Sequence, residues 1–188
     1  MAAITTSRSI AISSGIASAE EIQTVFDENR RQLMWLAEFL TGDEMMASAC
    51  VLDACAASEY QLGQDCFWTW TRDATILSTV DLFRVRIAQL ASAYDRREYV
   101  DGQLAPLGSE TIQFVVSHSD TIRRRLDVLC RVVLILCGVE QRPTGEAALL
   151  LGVSNHAVEA AYCAVLESLE IIDCDAILEE YGGAATVN

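Results

Sequence analysis

The chain has 188 residues, 52% of them hydrophobic and only 7% aromatic, with two prolines and a formal net charge of −14 at pH 7. A composition led by Ala and Leu rather than by Val, Ile, Thr and Tyr predicts an all-α protein and argues against a sheet protein. Every basic residue is an arginine, thirteen against twenty-seven Asp and Glu, and this balance repels polyanions: nucleic-acid binding takes most of its affinity from basic side chains that displace counterions from phosphates.

Seven cysteines, at 50, 55, 66, 130, 137, 163 and 174, include no C-x-x-C pair. They read as small buried hydrophobes in a reducing, cytoplasmic compartment, with neither a metal site nor a cofactor expected. No apolar run is long enough to span a bilayer.

Residues 1–17 read as a disordered tail, since Ser13, Ser14 and Gly15 interrupt what would otherwise be a signal-peptide-like apolar run. From Ser18, Glu20 and Glu21 fall in a first helical turn, where the helix dipole favours carboxylates. Ile22, Val25, Phe26, Leu33, Leu36 and Leu40 then keep a helical beat as far as Thr41-Gly42-Asp43. The stretch EMMASACVLDACAASEY predicts a shorter helix with Met46, Cys50, Val51 and either Ala54 or Cys55 turned inward.

A third helix is predicted from Phe67, Trp70, Ala74, Leu77 and either Val80 or Asp81 in helical register. Trp68 and Trp70 offer faces on which unpaired bases stack, with core burial the stronger reading of Trp70. Arg84, Arg86, Arg96 and Arg97 form a basic patch that Asp81, Asp95, Glu98 and Asp101 dilute, the pattern of a solvated helix face. Gly102, Pro106 and Gly108 then end the periodicity, and residues 99–120 are expected to be a linker. Beyond it lie an apolar cluster at Ile112, Phe114, Val115 and Val116, a helix-end or loop histidine at His118, and the densest positive charge in the chain at Arg123, Arg124 and Arg125.

Leu126, Leu129, Val133, Leu136 and Cys137 recur at helical spacing; VEQRPT breaks the period, and EAALLLG resumes it. Ala148 is small enough for two helices to approach, Gly152 frees the backbone for a tight turn, and Val158 brings the next helix back onto the first. Ser154 stands where an N-cap belongs. The last helix continues through IIDCDAILEEY to a stop at Gly182-Gly183.

The order helix, break, helix, turn, helix, with Arg131, Glu146, Ala148, Leu151, Gly152, Ser154, Val158 and Leu169 as landmarks, resembles region 4 of the extracytoplasmic-function (ECF) sigma factors. Upstream, Leu40-Thr41-Gly42-Asp43 leading into a helix, followed by Phe67 and Trp70, resembles region 2 of the same family. The resemblance implies two small helical domains: a region 2-like bundle over 18–98 and a region 4-like helix-turn-helix over 121–181, joined by the 99–120 linker and followed by a tail at 182–188.

It also implies which residues meet partners, and there the chain departs from the family. Most carboxylates that grip RNA polymerase are replaced by Met45, Met46, Ser48, Ala49 and Leu52, leaving Asp43 and Asp53 as a remnant. The promoter-facing Arg and Asn places hold Ile76 and Leu77. The recognition helix carries Asn155, His156, Glu159 and Ala160 where the family carries basic residues, with a small-residue strip at Ala157, Ala160, Ala161 and Ala164 suited to a protein partner. From Leu126 onward two arginines face ten carboxylates. The expected function is thus that of a non-enzymatic, sigma-like regulator acting through an anti-sigma factor or a polymerase subunit with DNA binding weak or absent, similar to the sigma-mimic domain of general-stress-response regulators. The alternative is a divergent ECF sigma factor that binds polymerase and promoter DNA, with Arg72, Arg84, Arg86, Arg123, Arg124 and Arg125 supplying the phosphate contacts.

Overall fold

The structure, a computed structural model, describes residues 19–58, 67–98 and 107–182; both expected tails, apart from the last helical residue, lie outside them. All regular structure among these residues is helical: α1 (Ala19–Thr41), α2 (Glu44–Ser58), α3 (Phe67–Leu82), α4 (Arg84–Tyr94), α5 (Ser109–Ser117), α6 (Ser119–Arg125), α7 (Val128–Val133), a π-helical continuation of α7 over Leu134–Val139, α8 (Thr144–Leu151) and α9 (Asn155–Gly182).

The Thr-Gly-Asp break after α1 closes through its own side chains. The backbone N–H of Asp43 donates to the Thr41 hydroxyl at 3.2 Å, Thr41 Oγ1 donates to the Asp43 carbonyl at 2.9 Å, and Asp43 Oδ1 accepts the Met46 N–H at 2.8 Å. Asp43 is therefore the N-cap of α2. Gly42 makes the reversal at φ +80, in the left-handed region that suits glycine.

α1, α2 and α3 pack on one another around Ile22, Phe26, Leu33 and Ala37, facing Ala47, Cys50, Val51 and Ala54. Trp70 leans on this cluster with its ring edge-on to Phe26, centroids 6.1 Å apart and planes at 88°. On α3, Thr71, Thr75 and Thr79 are all fully buried; Thr75 and Thr79 donate to the carbonyls four residues back, at 2.8 and 3.0 Å, so these hydroxyls enter the core satisfied. Of the two residues that the resemblance sets at promoter-facing places, Leu77 points outward, whereas Ile76 is corrected: it is fully buried in the core.

A larger cluster crosses the expected domain boundary. Leu36, Phe39 and Leu40 of α1, Ile76 and Val80 of α3, and Ile87, Ala91 and Tyr94 of α4 join one continuous apolar core with residues of every helix from α5 to α9. The two units expected from the sequence share a core because α4 lies against α7 and α9. The expected linker is corrected at its C-terminal half as well: residues 109–117 form α5 and α6 begins at Ser119, since Val115 and Ile122 have buried positions to fill. The remainder of that linker, 99–106, lies outside the described residues.

His118 joins α5 to α6, its ring stacked on Phe114 at 4.2 Å. Asp127 caps α7 by accepting the Cys130 N–H at 2.9 Å. The helix then widens, the Glu140 N–H reaching back five residues to the Ile135 carbonyl and Arg142 six residues to Leu136, both at 2.9 Å. Gly138 sits in this wide turn against Leu107, close enough that a Cβ would stand 2.9 Å from the leucine methyl. α8 ends at Gly152 in the left-handed conformation (φ 65, ψ 34), and α9 leaves at 113° to α8.

Candidate functional site

The first turn of α9 holds Asn155, His156 and Glu159, which the resemblance implies meet a partner. Ser154 caps it, its hydroxyl oxygen accepting the Ala157 N–H at 3.0 Å. A helix N-terminus carries about half a positive charge and unpaired N–H groups, so it attracts an anion. The anion here comes from the same chain. Asp95, which follows α4, accepts a short hydrogen bond from the Ser154 hydroxyl, and its Oδ1 stands 3.7 Å from His156 Nδ1. Asn155 donates to Glu159 at 2.6 Å, and Glu159 also accepts from Thr144 of α8 at 3.3 Å.

One residue placed on this surface by sequence is corrected. Ala160 is 3% exposed and belongs to the core, along with Ala157, Val158, Ala161, Tyr162 and Val165. The physical reason is the length of the covered face: α4, α7 and α8 all lie against α9 and take up the small-residue strip, leaving Ala164 half-buried. Of the predicted set, Asn155 and His156 are exposed and Glu159 is half-buried.

A polar joint holds α4 against α7 beneath this turn. The Tyr94 hydroxyl lies 3.1 Å from Asp127 Oδ2 and 3.0 Å from Cys130 Sγ, and the Arg97 guanidinium covers the tyrosine ring at 4.5 Å. Burial pushes the Cys130 thiol up to about 12, with the Asp127 charge adding to the effect, and raises the Tyr94 phenol as well. These are protonated hydrogen-bonding groups across the neutral range, without the thiolate character of a reactive cysteine.

A second joint was not foreseen. Arg142, in the break before α8, bonds Glu140 through Nε at 2.8 Å and Glu146 through Nη1 at 3.2 Å, and its Nη2 meets Asp73 of α3; Arg72 of α3 pairs with the other oxygen of Glu140 at 2.7 Å. Glu140 and Arg142 side chains are only 9% and 15% exposed. Burial works against the Arg142 charge, but attraction to Glu140 and Asp73 outweighs it and the guanidinium pKa rises. The only trace of this joint in sequence is local, a lone arginine between Glu140 and Glu146; its partner on α3 is 69 residues away.

The arginines proposed for phosphate contacts do not act as a set. Arg72 is committed to Glu140, Arg84 pairs with Asp81, and Arg123 pairs with Asp120 at 3.0 Å. Arg86, Arg124 and Arg125 are exposed. Arg131, a landmark of the resemblance, is turned inward: Nη1 donates to the Arg123 carbonyl at 3.2 Å, Nε is buried with no hydrogen-bond partner among the described residues, and Gly42 is close enough that a Cβ there would stand 3.2 Å from Nη1. Burial lowers its pKa.

Asp43 and Asp53, which the resemblance implies are a polymerase-contact remnant, are both exposed on or beside α2, with Asp43 serving as the cap described above. Beside them and Glu44 the exposed residues of α2 are apolar, with Met45 83% and Leu52 67% exposed. Among the described residues no single helix is long and apolar enough to cross a membrane. No protein-family model, no curated protein and no solved structure matches the chain.

Proposed function

We propose that the chain is a sigma-factor-like regulator of transcription that acts through protein contacts, as a sigma mimic or an anti-sigma partner, and does not bind promoter DNA. The observation that carries this reading is the engagement of the first turn of α9 by Asp95. In a helix-turn-helix protein that turn meets base edges and phosphates, and the 113° bend between α8 and α9 at a left-handed glycine lies within the range of such units. Here a carboxylate of the same molecule, Asp95, accepts from the capping Ser154 hydroxyl at that turn, which supports the reading.

Magnitudes favour the same reading. A good bidentate base contact supplies about 1–3 kcal/mol of discrimination, and only Asn155 and His156 are placed to offer one. Asn155 already donates to Glu159, and His156 faces Asp95. Of the six arginines that the alternative, a divergent ECF sigma factor, requires for phosphates, Arg72, Arg84 and Arg123 are held by carboxylates.

The test is fluorescence anisotropy of the full chain with labelled promoter-like duplexes at low salt. The proposal expects binding weaker than the roughly 10⁻⁴–10⁻⁶ M of ordinary nonspecific complexes; tight binding that weakens steeply with salt would establish the divergent sigma factor instead. A parallel pull-down, probed for RNA polymerase and for anti-sigma factors, separates the two kinds of protein partner.

A further inference from the structure

Where α6 lies against α1 the two helices leave a small cleft of about 30 Å³. Trp35, Glu38 and Phe39 line it from α1, and Ser119, Asp120 and Arg123 line it from α6. Spacings of three and four put the residues of each set on one face of their helix. At about 10–15 Å³ for each group the size of a water molecule, the cleft has room for roughly two such groups.

The charges of the lining do not cancel. Arg123 pairs with Asp120, Nη2 to Oδ1 at 3.0 Å, which leaves Glu38. That carboxylate is half-buried and carries no side-chain hydrogen bond or ion pair among the described residues, and the half-buried Ser119 hydroxyl carries none either. A carboxylate that has given up part of its water calls for a cation. Trp35 offers one a surface. Its half-buried ring is fixed by a stack on Phe39, centroids 5.7 Å apart and planes at 17°, and the indole face attracts cations more strongly than any other aromatic side chain. Glu38 also stands in the last turn of α1, where the carbonyl end of the helix adds negative potential.

We propose that this cleft binds a primary ammonium group, carried by a small aliphatic amine or by a lysine side chain. Volume selects that head: a planar guanidinium or a quaternary ammonium overfills the space, whereas an –NH₃⁺ with one methylene fits. Its three N–H donors are met by the Glu38 carboxylate, the Ser119 hydroxyl and water, and Trp35 supplies the π-face. The proposal stands on this cleft alone and does not depend on the loss of DNA binding.

The full chain, labelled with ¹⁵N, is titrated at constant ionic strength with propylammonium, tetramethylammonium and propionate. Binding is read from the three tryptophan indole N–H signals, Trp35 being assigned with Trp35→Phe. Propylammonium should move the Trp35 signal to saturation, and the other two ions should not. Glu38→Gln should weaken binding about fivefold or more. Glu28→Gln, the same charge change at an exposed position ten residues back on α1, should leave it unchanged. Neither side chain has a partner to lose, so both variants should fold, which the dispersion of the amide spectrum checks. No saturable shift with propylammonium would overturn the proposal. Equal weakening by the two glutamine variants would do the same, because net charge rather than the cleft would then be responsible. Saturable binding of propionate would assign the cleft to anions through Arg123 and sink the proposal from the other side. Comparing 1,4-diaminobutane with Nα-acetyl-lysine methylamide then separates the two sources: the tighter binder shows whether a free amine or a lysine side chain is the occupant.

Discussion

Asp95 and Ser154, 59 residues apart, share a hydrogen bond that joins the end of α4 to the start of α9. The bond places a fixed negative charge at the positive end of α9. Asp95→Ala should lower stability by about 1 kcal/mol in urea denaturation, because the carboxylate is partly exposed and Ser154 keeps its capping bond to Ala157. The variant should still fail to bind promoter duplexes. If it gains DNA binding, Asp95 is masking a working reader, and the proposed function is wrong.

Arg142→Met should be the more damaging change. It leaves Glu140 nearly buried with only Arg72 beside it, and it removes the partner of Asp73 across the joint between α3 and the segment before α8. Loss of one member of a buried ion pair costs about 3–5 kcal/mol and of an exposed pair at most about 1. An intermediate loss of about 2–3 kcal/mol is expected here, measured by the urea midpoint. Glu146→Gln, which removes only the most exposed contact of the group, should cost less than about 0.5 kcal/mol.

Two glycines with positive φ separate backbone strain from steric contact. Gly42 (φ +80) and Gly152 (φ +65) both carry strain on substitution, but an added Cβ meets Arg131 Nη1 at 3.2 Å in the first and open space in the second. Gly152→Ala should cost about 1–2 kcal/mol. Gly42→Ala should cost measurably more, since Arg131 is held by the Arg123 carbonyl and cannot move without losing that bond.

Alkaline pH should unfold the chain through its buried thiols. Burial raises Cys137 from 9.0 to about 11, so the folded state holds a proton that the unfolded state releases. This contribution is complete below about pH 9 and is lost as pH rises toward about 11, removing about 2 kcal/mol. Tyr162, pushed from 10.0 to about 12 by burial and the neighbouring thiol, extends the same trend. Between about pH 8 and pH 11, Cys137→Ala should therefore lose about 2 kcal/mol less stability than the parent chain.

The helices and their ends are legible in sequence because caps and turns are local. Asp43, Ser154, Gly42 and Gly152 do in the structure what their chemistry and spacing require of them. The joining of the two halves is not legible, because it depends on contacts between residues far apart in the chain. Tyr94 to Asp127, Arg142 to Asp73 and Asp95 to Ser154 leave no periodic trace. Ala160 shows the same limit at the scale of one residue: a small side chain suits an open surface and a tight interior equally, and only the placement of α4 decides. α5 was hidden for a different reason, since Gly108 and Pro106 look like a linker until Val115 finds a buried position.

The π-helical turn over Leu134–Val139 has a consequence for spacing. A wide turn of this kind holds one residue more than the ordinary helix, so whatever follows is rotated by about 100° from where 3.6-residue winding would put it. Glu140 and Arg142 follow immediately. Excising a single residue between Leu134 and Val139 would tighten the winding and swing both side chains away from α3, so the clasp between the chain's two halves depends on one surplus amino acid in an otherwise featureless greasy segment.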